Sequence, residues 1–147
     1  MRNLIKASLV AAVLASPLAL AQESPAGLWK SIDDASGKPT ALIRITEDAG
    51  VLQGKIEKLF RAPQEDQNPT CGLCQDARKD QPIVGMTILS GLKKDGDQYG
   101  GGEILDPKNG KVYKSKATLR EGGKKLEVRG YIGMPMLGRS QIWLRQE

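Results

Sequence analysis

The chain has 147 residues, 39% of them hydrophobic, with 22 basic and 17 acidic side chains and no histidine. That length fits one domain with a single core, and the missing histidine excludes Ser-His-Asp and Cys-His catalysis together with most zinc enzymes. Basic and acidic residues are interleaved, so the net charge of +5 describes a solvated surface and gives no reason to expect nucleic acid as a partner.

The first predicted element is a leader. Arg2 and Lys6 give a positive start, residues 7–20 carry no charge and are broken only by Pro17, and Ala19-Leu20-Ala21 presents a small-x-small cleavage pattern. This is the layout of a secretory signal peptide over 1–21, cleaved after Ala21. The mature domain is then 22–147, working in the periplasm or secreted. The apolar run is too short and too alanine-rich for a permanent transmembrane helix and no second one follows, so no membrane span is expected. No cysteine follows the cleavage point to carry a lipid. The leader holds two of the 22 basic residues and none of the 17 acidic ones, which leaves a mature charge of +3.

Beyond the leader, helical periodicity nearly disappears and short alternating segments recur between Gly, Asn, Asp and Pro. The predicted strands are 27–32, 40–47, 51–60, 83–93, 98–105, 111–120, 125–132 and 140–145. Asp34-Ala35-Ser36-Gly37, Glu47-Asp48-Ala49-Gly50, Asp95-Gly96-Asp97, Asp106-Pro107-Lys108-Asn109-Gly110 and Glu121-Gly122-Gly123 are hairpin-grade connectors. In 111–120, Tyr113, Ser115, Ala117 and Leu119 share one face and Lys114, Lys116 and Arg120 share the other with Val112 and Thr118; in 125–132, Leu126, Val128, Gly130 and Ile132 repeat the pattern. The expected fold is all-β, a single up-and-down antiparallel barrel of about eight strands, with a two-sheet sandwich as the alternative. Small inward residues (Gly54, Ser115, Ala117, Gly130) suit closure and leave room inside, and Gly100-Gly101-Gly102 reads as a bulge or corner.

One long connection, 61–82, interrupts the meander and contains both cysteines and a candidate helical turn at 75–79. Cys71-Gly72-Leu73-Cys74 has three readings: a structural disulfide, a redox-active pair near Arg78 and Lys79, or half of a metal site completed by a second subunit. The two-cysteine count and the exported compartment favour the disulfide, and neither metal nor cofactor is expected. Asp33-Asp34 and Glu65-Asp66 read as turn and solubility residues. Met134-Pro135-Met136-Leu137 lies between the last two strands, either folded in as a plug, the favoured reading, or standing at the mouth as an adaptable apolar contact.

Gly27-Leu28-Trp29 in the first strand, with Arg139 and Arg145 around Ile142-Trp143-Leu144 in the last, resembles the lipocalin or calycin arrangement. There a strand-one tryptophan packs across the barrel base under a last-strand arginine, which implies Trp29 with Arg139 and Arg145. The wider pattern is more specific. Ile32-Asp33-Asp34, Lys58-Leu59-Phe60-Arg61, Gly85-Met86-Thr87-Ile88-Leu89, Ile104-Leu105-Asp106-Pro107, Gly110-Lys111-Val112-Tyr113 and Arg129-Gly130-Tyr131-Ile132-Gly133 with Leu137-Gly138-Arg139 resemble the secreted bacterial family called domain of unknown function 2147. The resemblance implies a lipocalin-like barrel that binds small lipophilic molecules, and it brings no catalytic residues.

The expected function is therefore a non-enzymatic periplasmic or secreted binding protein for a small apolar ligand. Trp29, Ile43, Ile45, Ile56, Tyr113, Leu119, Val128 and Ile132 are expected to line the interior, with Met134 and Met136 near an opening. The alternatives are a thiol-disulfide protein using Cys71 and Cys74, and a packed barrel that binds or inhibits an envelope protein through its loops. The protein is expected to be a monomer or a homodimer.

Overall fold

The structure, a computed structural model, describes residues 10–13 and 24–147. The predicted cleavage site, Arg2 and Lys6 lie outside the described residues. The strands are β1 (Gly27–Ile32), β2 (Pro39–Asp48), β3 (Val51–Leu59), β4 (Thr87–Asp95), β5 (Gln98–Asp106), β6 (Lys111–Arg120), β7 (Lys125–Tyr131) and β8 (Arg139–Arg145). Each pairs antiparallel with the next, and β8 returns to β1 with Trp29 opposite Arg145 and Ser31 opposite Trp143. The result is a closed barrel without free edges, so every strand can bury one face and pair both backbone sides.

Alternation sets the inside. Trp29, Ile43, Ile45, Leu52, Ile56, Leu92, Ala117, Leu126, Val128 and Trp143 are buried, each in phase with its strand's dry face. The glycine run bends β5, where the register with β6 shifts between Tyr99 and Gly102.

Gly27 shows why the first strand starts with glycine. Its φ is +140°, and a side chain there would collide with the Glu147 carbonyl and come within 2.9 Å of the Arg145 guanidinium. Leu28 N–H donates to that same Glu147 carbonyl at 3.1 Å, tying the end of the chain to the start of the barrel.

Three expectations change. The fourth strand begins at Thr87, because Pro82 and Ile83 pair with the loop itself: Thr70 bridges Pro82, and Ile83 N–H donates to the Pro69 carbonyl at 3.0 Å. The apolar character of Ile83 and Met86 serves burial beneath that loop. The candidate helical turn at 75–79 is a hydrogen-bonded turn that does not become a helix, since the Asp76 carboxylate takes the Arg78 N–H and guanidinium and offers the backbone a turn in place of a helix. The seventh strand ends at Tyr131, which leaves Ile132 outside it.

Cys71 and Cys74 form a disulfide, with the two residues 0% and 2% exposed. Their loop packs on the β5–β6 turn, where a side chain on Gly110 would fall onto the Leu73 carbonyl. Closing so short a ring removes little unfolded-state entropy, about 2 kcal/mol by loop-closure arithmetic. Cys71→Ala with Cys74→Ala is therefore expected to lower unfolding free energy by about that much and to leave the barrel folded, as read by urea denaturation and far-UV circular dichroism. A loss of β-sheet signal in native buffer would contradict this.

Ser115 is fully buried and its hydroxyl has no hydrogen-bond partner among the described residues. An unpaired buried hydroxyl costs about 1–3 kcal/mol. Ser115→Ala is therefore expected to raise the urea midpoint, with a gain of about 1 kcal/mol; a lowered midpoint would show that the hydroxyl has a partner.

Candidate ligand-binding cavity

The two ends of the barrel differ in chemistry. At the end where β1 begins, Trp29 fills the interior. Its indole N–H donates to the Pro25 carbonyl at 2.8 Å, and the Arg145 guanidinium covers its ring at 4.3 Å, a cation–π contact. Arg145 also donates to the carbonyls of Gly123 (2.6 Å), Ala26 (3.0 Å) and Ser24 (2.6 Å). One side chain thus ties the β6–β7 turn to the segment preceding β1 and closes the base. The expected second arginine is elsewhere. Arg139 and Arg145 bound the same seven-residue strand, and about 3.3 Å of rise per residue puts Arg139 at the opposite end. There it donates to both carboxylate oxygens of Asp34 at 2.7 and 2.8 Å.

That opposite end holds a cavity of about 610 Å³, within the range of small-molecule sites. Its wall is mostly apolar: Ala41, Ile43, Ile56, Leu59, Ile83, Ile88, Ile104, Leu105, Val128 and Trp143. Four connections form the rim, namely 33–38, 60–86, 107–110 and 132–138.

Polar groups in the wall form a second layer. The hydroxyls of Ser31 and Thr40 are hydrogen-bonded to each other at 2.5 Å, Asn109 donates to the Tyr113 hydroxyl at 3.0 Å, and the Gln141 amide oxygen accepts from the Trp143 indole at 3.3 Å. The outer rim carries both signs of charge: Asp33, Asp34, Glu65 and Asp106 against Arg61, Lys108 and Arg139. The Ser36 hydroxyl and the Ala35 N–H hold the Asp33 carboxyl below its ordinary pKa, and the Asp34 carboxylate holds Arg139 protonated by raising its pKa. The charged side chains of the site thus stand at the rim, and the depth of the cavity is lined by uncharged ones.

The named interior residues divide by height. Ile43, Ile56, Tyr113, Val128 and Ile132 line the cavity. Trp29, Ile45 and Leu119 belong to the packed lower part: Ile45 pairs with Gly54 and Leu119 with Leu126 toward the closed base. Ile132 sits at the rim, largely exposed, since β7 ends before it. Met134 and Met136 are exposed and do not line the cavity. Pro135–Leu137 forms a 3-10 turn outside the barrel, with no buried residue. The favoured plug reading is thus overturned: Met134, Met136 and Leu137 are all more than half exposed, and of the three Leu137 alone also borders the cavity.

Among the wall residues that the sequence reasoning missed, Ser31, Ala41, Gln141 and Trp143 were legible as in-phase neighbours of residues already assigned. Ile88 was not, because the β3–β4 register shifts beside it, and Leu105 was not, because it is buried although it is out of phase with inward-facing Ile104.

No curated protein matches the chain. Among solved structures it is similar to "Protein HP1028 from the human pathogen Helicobacter pylori belongs to the lipocalin family", with 18% identity over 84% of each chain and a TM-score of 0.70. At that identity the likeness concerns the fold, a lipocalin-like barrel. The family model described as "Uncharacterized protein conserved in bacteria (DUF2147)" matches residues 27–145, and the chain belongs to that family.

Proposed function

We propose that the protein is a non-enzymatic carrier or sensor, exported to the periplasm or beyond, that takes one small lipophilic molecule with a polar head into its barrel. The observation that carries this reading is the apolar cavity of about 610 Å³, floored by packed side chains and opening through a polar, charged rim. An eight-stranded barrel is just wide enough for one small ligand. The apolar body of such a ligand would lie against Ile43, Ile56 and Val128, and its head would meet the hydrogen-bonding groups of Thr40, Tyr113 and Gln141.

Two features support a role without chemistry. The carboxylates of the site sit at the wet rim in turns and ion pairs, and the chain has no histidine to move a proton at neutral pH. Burial of both sulfurs favours a structural disulfide over a cycling one, which needs an accessible thiolate. The leader pattern supports export.

The test is native mass spectrometry of protein recovered from the periplasm, together with uptake of a dansyl-labelled fatty acid. An extra small-molecule mass that is lost on denaturation, with saturable uptake of the probe, is the expected result. A bare mass with no uptake would overturn it and move the function to the loops and outer surface.

A further inference from the structure

The segment 130–138, Gly-Tyr-Ile-Gly-Met-Pro-Met-Leu-Gly, carries no charged residue and projects at the cavity mouth. Ile132, Met134, Met136 and Leu137 are 64%, 56%, 72% and 72% exposed. Four large apolar side chains on one short connection are not a scattered surface residue or two; they form a patch that requires a reason.

The segment is held in shape. Arg129 donates from Nε to the Pro135 carbonyl (2.6 Å), from Nη2 to the Gly138 carbonyl (3.2 Å) and from Nη1 to the Ser140 hydroxyl (2.9 Å). Leu137 N–H closes the turn on the Met134 carbonyl at 3.0 Å. The apolar side chains therefore stay outside while the backbone is buttressed from the barrel.

Two observations identify what covers them. Ile132 and Leu137 border the cavity as well as facing out, so the exposed apolar patch begins at the cavity mouth. Beside the tip, the outer face of β6 and β7 carries Lys114, Lys116 and Arg129, with Lys114 opposite Tyr131 and Lys116 opposite Arg129, and Lys111 stands exposed at the mouth-side start of β6. Glu103 and Asp106 stand across from Lys114 and Lys111 on β5, which leaves this sector with a positive surplus. None of the three lysines is in an ion pair among the described residues.

We infer that this mouth-side loop docks on an anionic phospholipid bilayer, inserting its apolar side chains at the headgroup level while the β6–β7 lysines lie against lipid phosphates. A few inserted apolar side chains with adjacent basic residues suffice for reversible interfacial binding. A stable protein interface draws on roughly 20–30 residues a side, far more than this tip offers. No helix of the described residues is long and apolar enough to cross a membrane. The docked mouth would face the medium from which a lipophilic ligand comes. The inference goes beyond cavity binding and stands or falls separately from it.

The test uses residues 22–147, which contain the whole closed barrel and lack the apolar leader that would itself bind lipid. Vesicles of equal parts phosphatidylglycerol and phosphatidylcholine are compared with pure phosphatidylcholine by cosedimentation, and dansyl fatty acid uptake is measured in vesicle-free buffer. The protein is expected to sediment with the anionic vesicles and to be released by high salt. Met134→Asp with Met136→Asp should weaken that partitioning on the order of tenfold, and Lys111→Glu with Lys114→Glu should weaken it several-fold. Unchanged probe uptake in these variants shows that fold and cavity survive. Wild-type protein left in the supernatant, or Met variants that sediment like wild type, would overturn the proposal. So would a dimer, seen by light scattering, that the Met substitutions dissociate while no vesicle binding occurs.

Discussion

Trp29→Ala is expected to cause the largest loss of stability of any single truncation in this barrel. The indole is fully buried, and deleting a buried aromatic costs about 3–5 kcal/mol, a large share of the roughly 5–15 kcal/mol that holds a typical domain together. The effect reaches past the ring. Arg145 stacks on Trp29 while donating to Ser24, Ala26 and Gly123, so the guanidinium would lose the surface that positions it and the base would open to water. Urea denaturation should show a large drop in midpoint. Trp29→Phe keeps most of the packing and gives up the hydrogen bond to Pro25, so its loss should be about 1–2 kcal/mol. Equal losses for the two variants would show that the closure rests on the hydrogen bond and not on the filled volume.

For ligand uptake the largest expected effect is that of Ala41→Phe. Ala41 points inward from β2 opposite Leu59 and lines the cavity wall, so a benzyl group there occupies space that the ligand needs. Dansyl fatty acid uptake is expected to fall at least tenfold, with a smaller drop in urea midpoint than overpacking of the solid core would give, because Ala41, although only 5% exposed, borders the cavity. Ala117→Phe is the contrasting case. Ala117 also points inward, opposite Val128, but it is 1% exposed and lies below the cavity. Overpacking there should cost about 1–3 kcal/mol and leave the affinity of the folded protein unaltered. If Ala41→Phe destabilises as strongly as Ala117→Phe and uptake persists, the upper barrel is packed in solution and the ligand-binding reading fails.

Much of the architecture was legible because it depends on local chemistry. The period-two alternation of Tyr113, Ser115, Ala117 and Leu119, and of Leu126, Val128 and Gly130, states which face of each strand is dry. The turn sequences between neighbouring strands state their order. Gly27 was readable too, as part of a Gly-x-Trp pattern whose cause is the Glu147 carbonyl lying where a side chain would be.

The residues alone did not settle where the long loop ends. Ile83 and Val84 look like strand residues, and the backbone of Ile83 instead serves the Pro69 carbonyl across the loop, a non-local pairing that no short window contains. Arg139 and Arg145 are equivalent as letters; strand rise makes one the rim partner of Asp34 and the other the cover of Trp29.

Alternation and connectors are properties of neighbours along the chain and the lack of histidine is one of composition, so all three are readable without the fold. How the interior is shared between packing and cavity is set by the closed barrel. Ile45 and Val128 are both inward-facing aliphatic residues, yet one is core and one is wall. The reason is closure: strand register and the β5 bulge fix the height of each side chain along the barrel axis, and height decides whether the chains across the barrel meet or leave room for a guest.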